Sequence, residues 1–192
     1  MRERELTDAV GEIADEDAAF RLGLARALLR TAASQGTGAG ARAGELLCHI
    51  PRKEIKFQSQ QSSANELGVL MTMREMFGKP RQLWNFIDWV WESEEFLFAV
   101  EVKVNGKTVF QPDQLGNYTK AAKKTGKPYY GVLALTTKTP PRDAVRRVAR
   151  RQGFVGAVVW DQSAPLLRQL TPTNPDHARR WHKLLAAVAP DI

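Results

Sequence analysis

The sequence holds a single cysteine, Cys48, among its 192 residues. One thiol excludes an intramolecular disulfide and any zinc cluster built on cysteines. Cys48 therefore reads as a packing residue. Histidine is scarce as well. His177 and His182 are five apart, off the i, i+4 spacing that aligns two ligands on a helix, and His49 stands alone. All three read as surface or structural residues. No stretch reaches the roughly 18 uninterrupted apolar residues of a membrane span. The opening segment Met1-Arg-Glu-Arg-Glu-Leu-Thr-Asp8 lacks the apolar centre of a secretory signal. Internal repeats are absent too. Together these absences point to a cytoplasmic protein with no membrane association. What is present is ordinary globular composition, 43% hydrophobic and 26% charged.

The charge is unevenly placed. Overall, 28 Lys and Arg face 21 Asp and Glu, a formal +7. Residues 1–33 carry more acid than base. Residues 103–151 hold Lys103, Lys107, Lys120, Lys123, Lys124, Lys127, Lys138, Arg142, Arg146, Arg147, Arg150 and Arg151 against only Asp113 and Asp143. The short stretch 88–101 is purely acidic, with Asp88, Glu92, Glu94, Glu95 and Glu101. An acidic knot beside a basic run suggests a cation site facing a polyanion, although solvated surface charge would look the same.

Hydrophobic periodicity predicts the elements. Leu6, Val10, Ile13, Phe20, Leu24 and Leu28 mark one or two helices over residues 5–33. Residues 34–44, rich in glycine and alanine, read as a linker. This divides the chain into an N-terminal helical segment with its linker, 1–44, and a domain over 45–192. Residues 45–57 are ambiguous, with Ile55 and Phe57 suited to a short strand. A helix over 64–77 starts at Ser62 or Ser63 and stops at Gly78 and Pro80. Strands follow at 84–91 and 96–104 and form a hairpin. Then come a helix from Pro112 to about Thr125, a strand at 129–137, a basic helix from Pro140 to Arg151, a strand at 156–160 and a helix over 176–189. Helices separating the later strands predict an α/β fold: a central mixed β-sheet flanked by helices, with an N-terminal helical extension.

Chemistry concentrates at Asp88 and Glu101-Val102-Lys103. Residues two apart on a strand share a face, so Glu101 and Lys103 emerge together while Val102 points into packing. Asp88 lies on the partner strand. Two converging carboxylates repel unless a cation neutralises them, and a hard divalent ion such as Mg²⁺ takes oxygen ligands. The Val102 carbonyl offers a further oxygen. A lysine beside such an ion can orient water or stabilise phosphate charge. A bare Glu-x-Lys is also a common surface ion pair. Here, however, it interrupts a strongly apolar run, where unsatisfied charges cost several kcal/mol.

The pattern Asp88…Glu101-Val102-Lys103, on a hairpin between two helices, resembles the PD-(D/E)XK nuclease superfamily. The similarity covers about residues 60–137. Gln114-Leu-Gly-Asn-Tyr118 matches the Gln-x-x-x-Tyr spacing of its RecB-like branch, and Ile87 replaces the usual proline before the aspartate. The resemblance implies a restriction-endonuclease-like core. It implies Mg²⁺ (or Mn²⁺) held by Asp88, Glu101, the Val102 carbonyl and Glu66, with Lys103 assisting and Gln114 orienting the site or touching nucleic acid. Tyr118 would support its helix. Glu66 could equally be a first-turn carboxylate favoured by the helix dipole.

The implied activity is metal-dependent endonucleolytic hydrolysis of DNA, in a setting such as phage defence or restriction. The alternative is a catalytically inactive nucleic-acid-binding or assembly module of the same fold. DNA is favoured over RNA as partner. Arg142, Arg146 and Arg150 fall at i, i+4, i+8, with Arg147 alongside, and Lys120, Lys123 and Lys124 ride the Gln114 helix, so these residues are the expected phosphate contacts. Residues 1–33 are expected to dock onto a second copy or another protein.

Overall fold

The computed structural model describes residues 3–51, 55–59, 87–104 and 111–190. The elements among them are α1 (Glu3–Glu16), α2 (Ala18–Ala33), α3 (Gly38–Cys48), β1 (Lys56–Ser59), β2 (Trp89–Glu92), β3 (Phe96–Lys103), α4 (Pro112–Lys124), β4 (Tyr129–Thr136), α5 (Arg142–Ala149), β5 (Phe154–Val159), α6 (Trp160–Leu167) and α7 (Pro175–Val188). The expected helix over 64–77, with Glu66, and the first part of the strand at 84–91 lie outside the described residues.

The five strands form one mixed sheet in the order β1-β2-β3-β4-β5. β1, β2 and β3 run antiparallel in sequence, and β3, β4 and β5 are parallel. Parallel neighbours need a crossover, which α4 and α5 supply. Because β3 is buried along nearly its whole length, its residues divide cleanly between the two faces. Phe96, Phe98, Val100 and Val102 join the core beneath α1, α2, α6 and α7. Leu97 and Ala99 join the core beneath α4 and α5, with Leu115, Tyr118, Val132, Ala134 and Val148. By the strand's two-residue period, Glu101 and Lys103 belong to this second face.

The N-terminal helices are part of this architecture. Leu6, Val10, Ile13, Leu24 and Leu28 are buried in the same core as Trp89, Trp91 and Val100. Asp17 caps α2, its Oδ1 accepting the Phe20 N–H at 2.9 Å, and its Oδ2 accepts the Thr173 N–H at 2.6 Å. The apolar side chains of these helices are buried against the chain's own sheet.

The linker expected at 34–44 is instead mostly helix. Thr37 caps α3 through the Gly40 N–H, and Ala43 and Leu46 are buried. Small residues here permit close approach rather than flexibility. A Cβ on Gly40 would stand 2.8 Å from the Ala32 carbonyl oxygen. Arg42 then spans the end of α5 and the start of β5, donating to the carbonyls of Ala149 and Phe154 at 3.0 Å each.

Two further differences have local causes. The strand expected at 156–160 runs from Phe154 to Val159, and Trp160 opens α6, which the sequence reading lacks. Pro165 inside α6 signals a break, but it is exposed and forfeits one hydrogen bond, while Trp160, Ala164 and Leu167 are buried. Cys48, expected in the packing, is exposed. His49 stacks on Tyr129, their ring centroids 3.6 Å apart. No described helix is long and apolar enough to cross a membrane.

Candidate active site and nucleic-acid face

β2 begins at Trp89, which faces Val100. Asp88 stands just before it and takes over the ladder: its Oδ2 accepts the Val102 N–H at 2.7 Å. A strand residue directs its N–H and C=O toward the same neighbour, so the Val102 carbonyl leaves β3 on the Asp88 side. Asp88 and Glu101 are each only 3% exposed. Lys103 Nζ lies 2.5 Å from Glu101 Oε1. The strand parity that put these two side chains on one face thus brings them into direct contact.

α4 brings two more polar groups to the same corner. Leu115 and Ala122 bury one stripe of the helix, and Tyr118 on that stripe reaches the sheet. Its hydroxyl donates to the Glu101 carboxylate. Gln114, one turn earlier, donates from Nε2 to the Tyr118 hydroxyl at 2.9 Å. Burial pushes the Tyr118 phenol far above its ordinary value, and the negative carboxylate of Glu101 pushes it the same way. The hydrogen bond from Gln114 lowers it only in part, and Asp88 raises it further. Tyr118 is thereby kept protonated and serves as a donor to Glu101. The result is a directed chain from Gln114 through Tyr118 to Glu101, which Lys103 meets from the other side.

These donors suit a hard divalent cation. The set is all oxygen, and its formal charge is two carboxylates against one ammonium, a negative balance in a buried place. Among the described residues, no group of three or more His, Cys, Asp or Glu could hold a metal ion. The groups that could hold such an ion in this corner are Asp88, Glu101 and the Val102 carbonyl, and Glu66 lies outside the described residues.

The expected phosphate contacts fall on the two helices over this face. Lys120, Lys123 and Lys124 on α4 are exposed, as are Arg142, Arg146 and Arg147 on α5 and Arg150 and Arg151 just beyond it. The two helices are neighbours. Lys123 Nζ donates to Gln152 Oε1 at 3.2 Å, and Arg151 Nε lies 3.9 Å from where a Gly116 Cβ would stand. Lys127 has a different task. It pairs with Glu92 at 3.1 Å and donates to the Ser93 carbonyl at 2.5 Å, latching the β2–β3 turn at the far end of the sheet from Lys103.

The sequence reading missed Thr136 and Thr137. Thr136 faces Lys103 across the β3–β4 ladder. Thr137 donates from its backbone N–H to the Lys103 carbonyl at 3.1 Å and from its hydroxyl to the Val104 carbonyl at 2.9 Å. Together they fix the point where β3 leaves the sheet. The two-residue period of β4 was the available signal: Val132, Ala134 and Thr136 share a face. Compared with family models, curated proteins and solved structures, the chain finds no match.

Proposed function

We propose that the chain is a metal-dependent endonuclease that hydrolyses DNA phosphodiester bonds. The observation that carries this reading is the buried Glu101–Lys103 pair on the sheet face whose covering helices are basic, with the buried Asp88 bonded to the intervening Val102 N–H. A charged trio of this kind is costly unless the charges do something. The antiparallel meander β1–β2–β3, the crossover helix α4 and the parallel strand β4 support the likeness to the PD-(D/E)XK nucleases, and the expected helix with Glu66 lies outside the described residues.

Asp88, Glu101 and the Val102 carbonyl would hold Mg²⁺ or Mn²⁺, with Glu66 completing the set as the resemblance implies. When bound, the metal supplies Lewis-acid polarisation of the phosphate and a more acidic water. The chain's own residues do the rest. Tyr118 and Gln114 hold the Glu101 carboxylate in one orientation. Lys103, anchored by Glu101, presents its ammonium to the attacking water or to the phosphate oxygens, where a fixed positive charge stabilises developing negative charge. The basic residues of α4 and α5 bring the polyanion to this corner.

A second reading is a nucleic-acid-binding module that does not cut. The observation favouring it is that Asp88 accepts the Val102 N–H and Glu101 pairs with Lys103, so each carboxylate already has a partner within the chain. One assay separates the two. Plasmid, linear duplex, single-stranded DNA and RNA are incubated with Mg²⁺ or Mn²⁺, beside an EDTA control. Metal-dependent nicking of plasmid, abolished by EDTA, is expected. Intact nucleic acid in every arm, with salt-sensitive binding retained, leaves the binding module.

A further inference from the structure

The basic face has a shape as well as a charge. Both α4 and α5 connect parallel strands, so each starts at the carboxyl end of the sheet, beside Glu101 and Lys103, and runs back toward the other end. They lie side by side. Packed helices stand about 8–10 Å apart. The face therefore offers cations on both helices: Lys120, Lys123 and Lys124 in the last turns of α4, away from the carboxylates, and Arg142, Arg146 and Arg150 along α5 and its C-cap, starting at the carboxylate end.

Of these cations, Arg146 is paired with Asp143 at 3.6 Å and Lys123 with Gln152. Lys120, Lys124, Arg142, Arg147, Arg150 and Arg151 have no acidic partner among the described residues. The exposed positions of α4 and α5 include no aromatic residue: Tyr118 is buried, and the rest are charged, polar or small. That composition matters because single strands are gripped mainly by base stacking on aromatic rings. A face of long cations without rings reads phosphates only. A single strand offers one line of phosphates. A duplex offers two, one for the cations of each helix. The cations are spread along the face: those of α4 span about 6 Å of helix rise and Arg142 to Arg150 about 12 Å, roughly two and four base pairs at 3.4 Å.

We infer that this face takes double-stranded DNA lengthwise, through the phosphates of both strands and without base readout, on one side of the carboxylate corner. The inference names the substrate class for the nuclease reading and rests on it for the meaning of that corner, yet it is testable without cleavage. Anisotropy titrations in EDTA compare a 20-base-pair duplex with a 20-nucleotide oligo(dT) over 50–200 mM KCl. Three proteins are used: the full chain, its Arg146→Ala/Arg147→Ala/Arg150→Ala variant and its Lys120→Ala/Lys124→Ala variant, each checked for folding by circular dichroism. The duplex is expected to bind more tightly than oligo(dT), with little change when its sequence is scrambled. The slope of log K against log salt is expected to fall by about 2.7 in the arginine variant and about 1.8 in the lysine variant, one condensed counterion per lost phosphate contact. Tighter binding of oligo(dT), or slopes unchanged in both variants, overturns the inference. Duplex binding that behaves as expected in a protein that never cuts with Mg²⁺ or Mn²⁺ removes the hydrolytic reading and leaves this surface standing.

Discussion

Lys103 and Glu101 define what a single residue contributes here. Their contact is largely sequestered, with side-chain exposures of 12% and 4%. Removing one partner of a buried pair strands the other charge, which typically costs about 3–5 kcal/mol. Lys103→Ala is therefore expected to lower unfolding stability by that order in urea denaturation at neutral pH. A loss below about 1 kcal/mol is the value for an exposed pair and contradicts the burial described here. The Glu101–Lys103 contact was legible in the sequence because residues two apart on a strand share a face, here within the apolar run Phe96-Leu-Phe-Ala-Val and Val102. The partners that complete it were only half legible. Gln114 and Tyr118 were singled out through the family resemblance, but nothing in the sequence says that Tyr118 donates to Glu101. Lys127 shows the opposite error: it counts with the basic residues in sequence and folds as the latch of an acidic turn.

Helices and strands repeat the lesson one level up. Strands β3 and β4 and helices α4 and α5 were read nearly as they fold because their apolar patterns are strong, whereas β2, expected at 84–91 with Asp88 in it, begins only at Trp89. Glycine-rich α3 was not, since the same composition serves a flexible tether and a tightly packed helix. Two substitutions distinguish these uses. Gly40→Ala would drive a Cβ to 2.8 Å from the Ala32 carbonyl oxygen and 3.2 Å from that of Ala33. Backbone cannot step aside easily, so overpacking of about 1–3 kcal/mol is expected to outweigh the helix preference of alanine, about 1 kcal/mol. Gly44→Ala meets only the Ala33 Cβ at an ordinary 3.8 Å and is expected to stabilise. Thermal denaturation giving the same sign for both variants would contradict the packing of α3 on α2.

Helix α2 carries a pH signature through its cap. Burial pushes the Asp17 carboxyl up, but backbone hydrogen bonds from Phe20, Thr173 and Ala19, with one from the Thr173 side chain, together outweigh it and hold it below 3.8. A depressed folded value means that the stabilisation is present above the unfolded value and is lost as pH falls through the folded one. The stability gap between the wild type and Asp17→Ala is thus expected to be about 1–2 kcal/mol at pH 7 and to shrink as the pH drops below about 4. A gap that stays constant or widens toward acid contradicts the capping geometry.

At the scale of the whole molecule, the two sides of the sheet differ in charge. On one side α1 carries six acidic residues, and two of them turn to α7: Glu12 pairs with Arg180 and Glu16 with His177. On the other, α4 and α5 present cations facing few acids. Under the proposed function, this field would draw a polyanion toward the second side, where Asp88, Glu101 and Lys103 lie. This asymmetry was visible in the sequence as a charge imbalance. That it divides by sheet face required the topology. The most direct measurement is the rate of plasmid nicking in Mn²⁺ by wild type, Glu101→Gln and Lys103→Ala at equal concentrations of folded protein. Nicking by the wild type and a fall of about 100-fold or more in both variants is predicted. Rates in either variant equal to wild type would contradict the assignment of that corner as the site of hydrolysis.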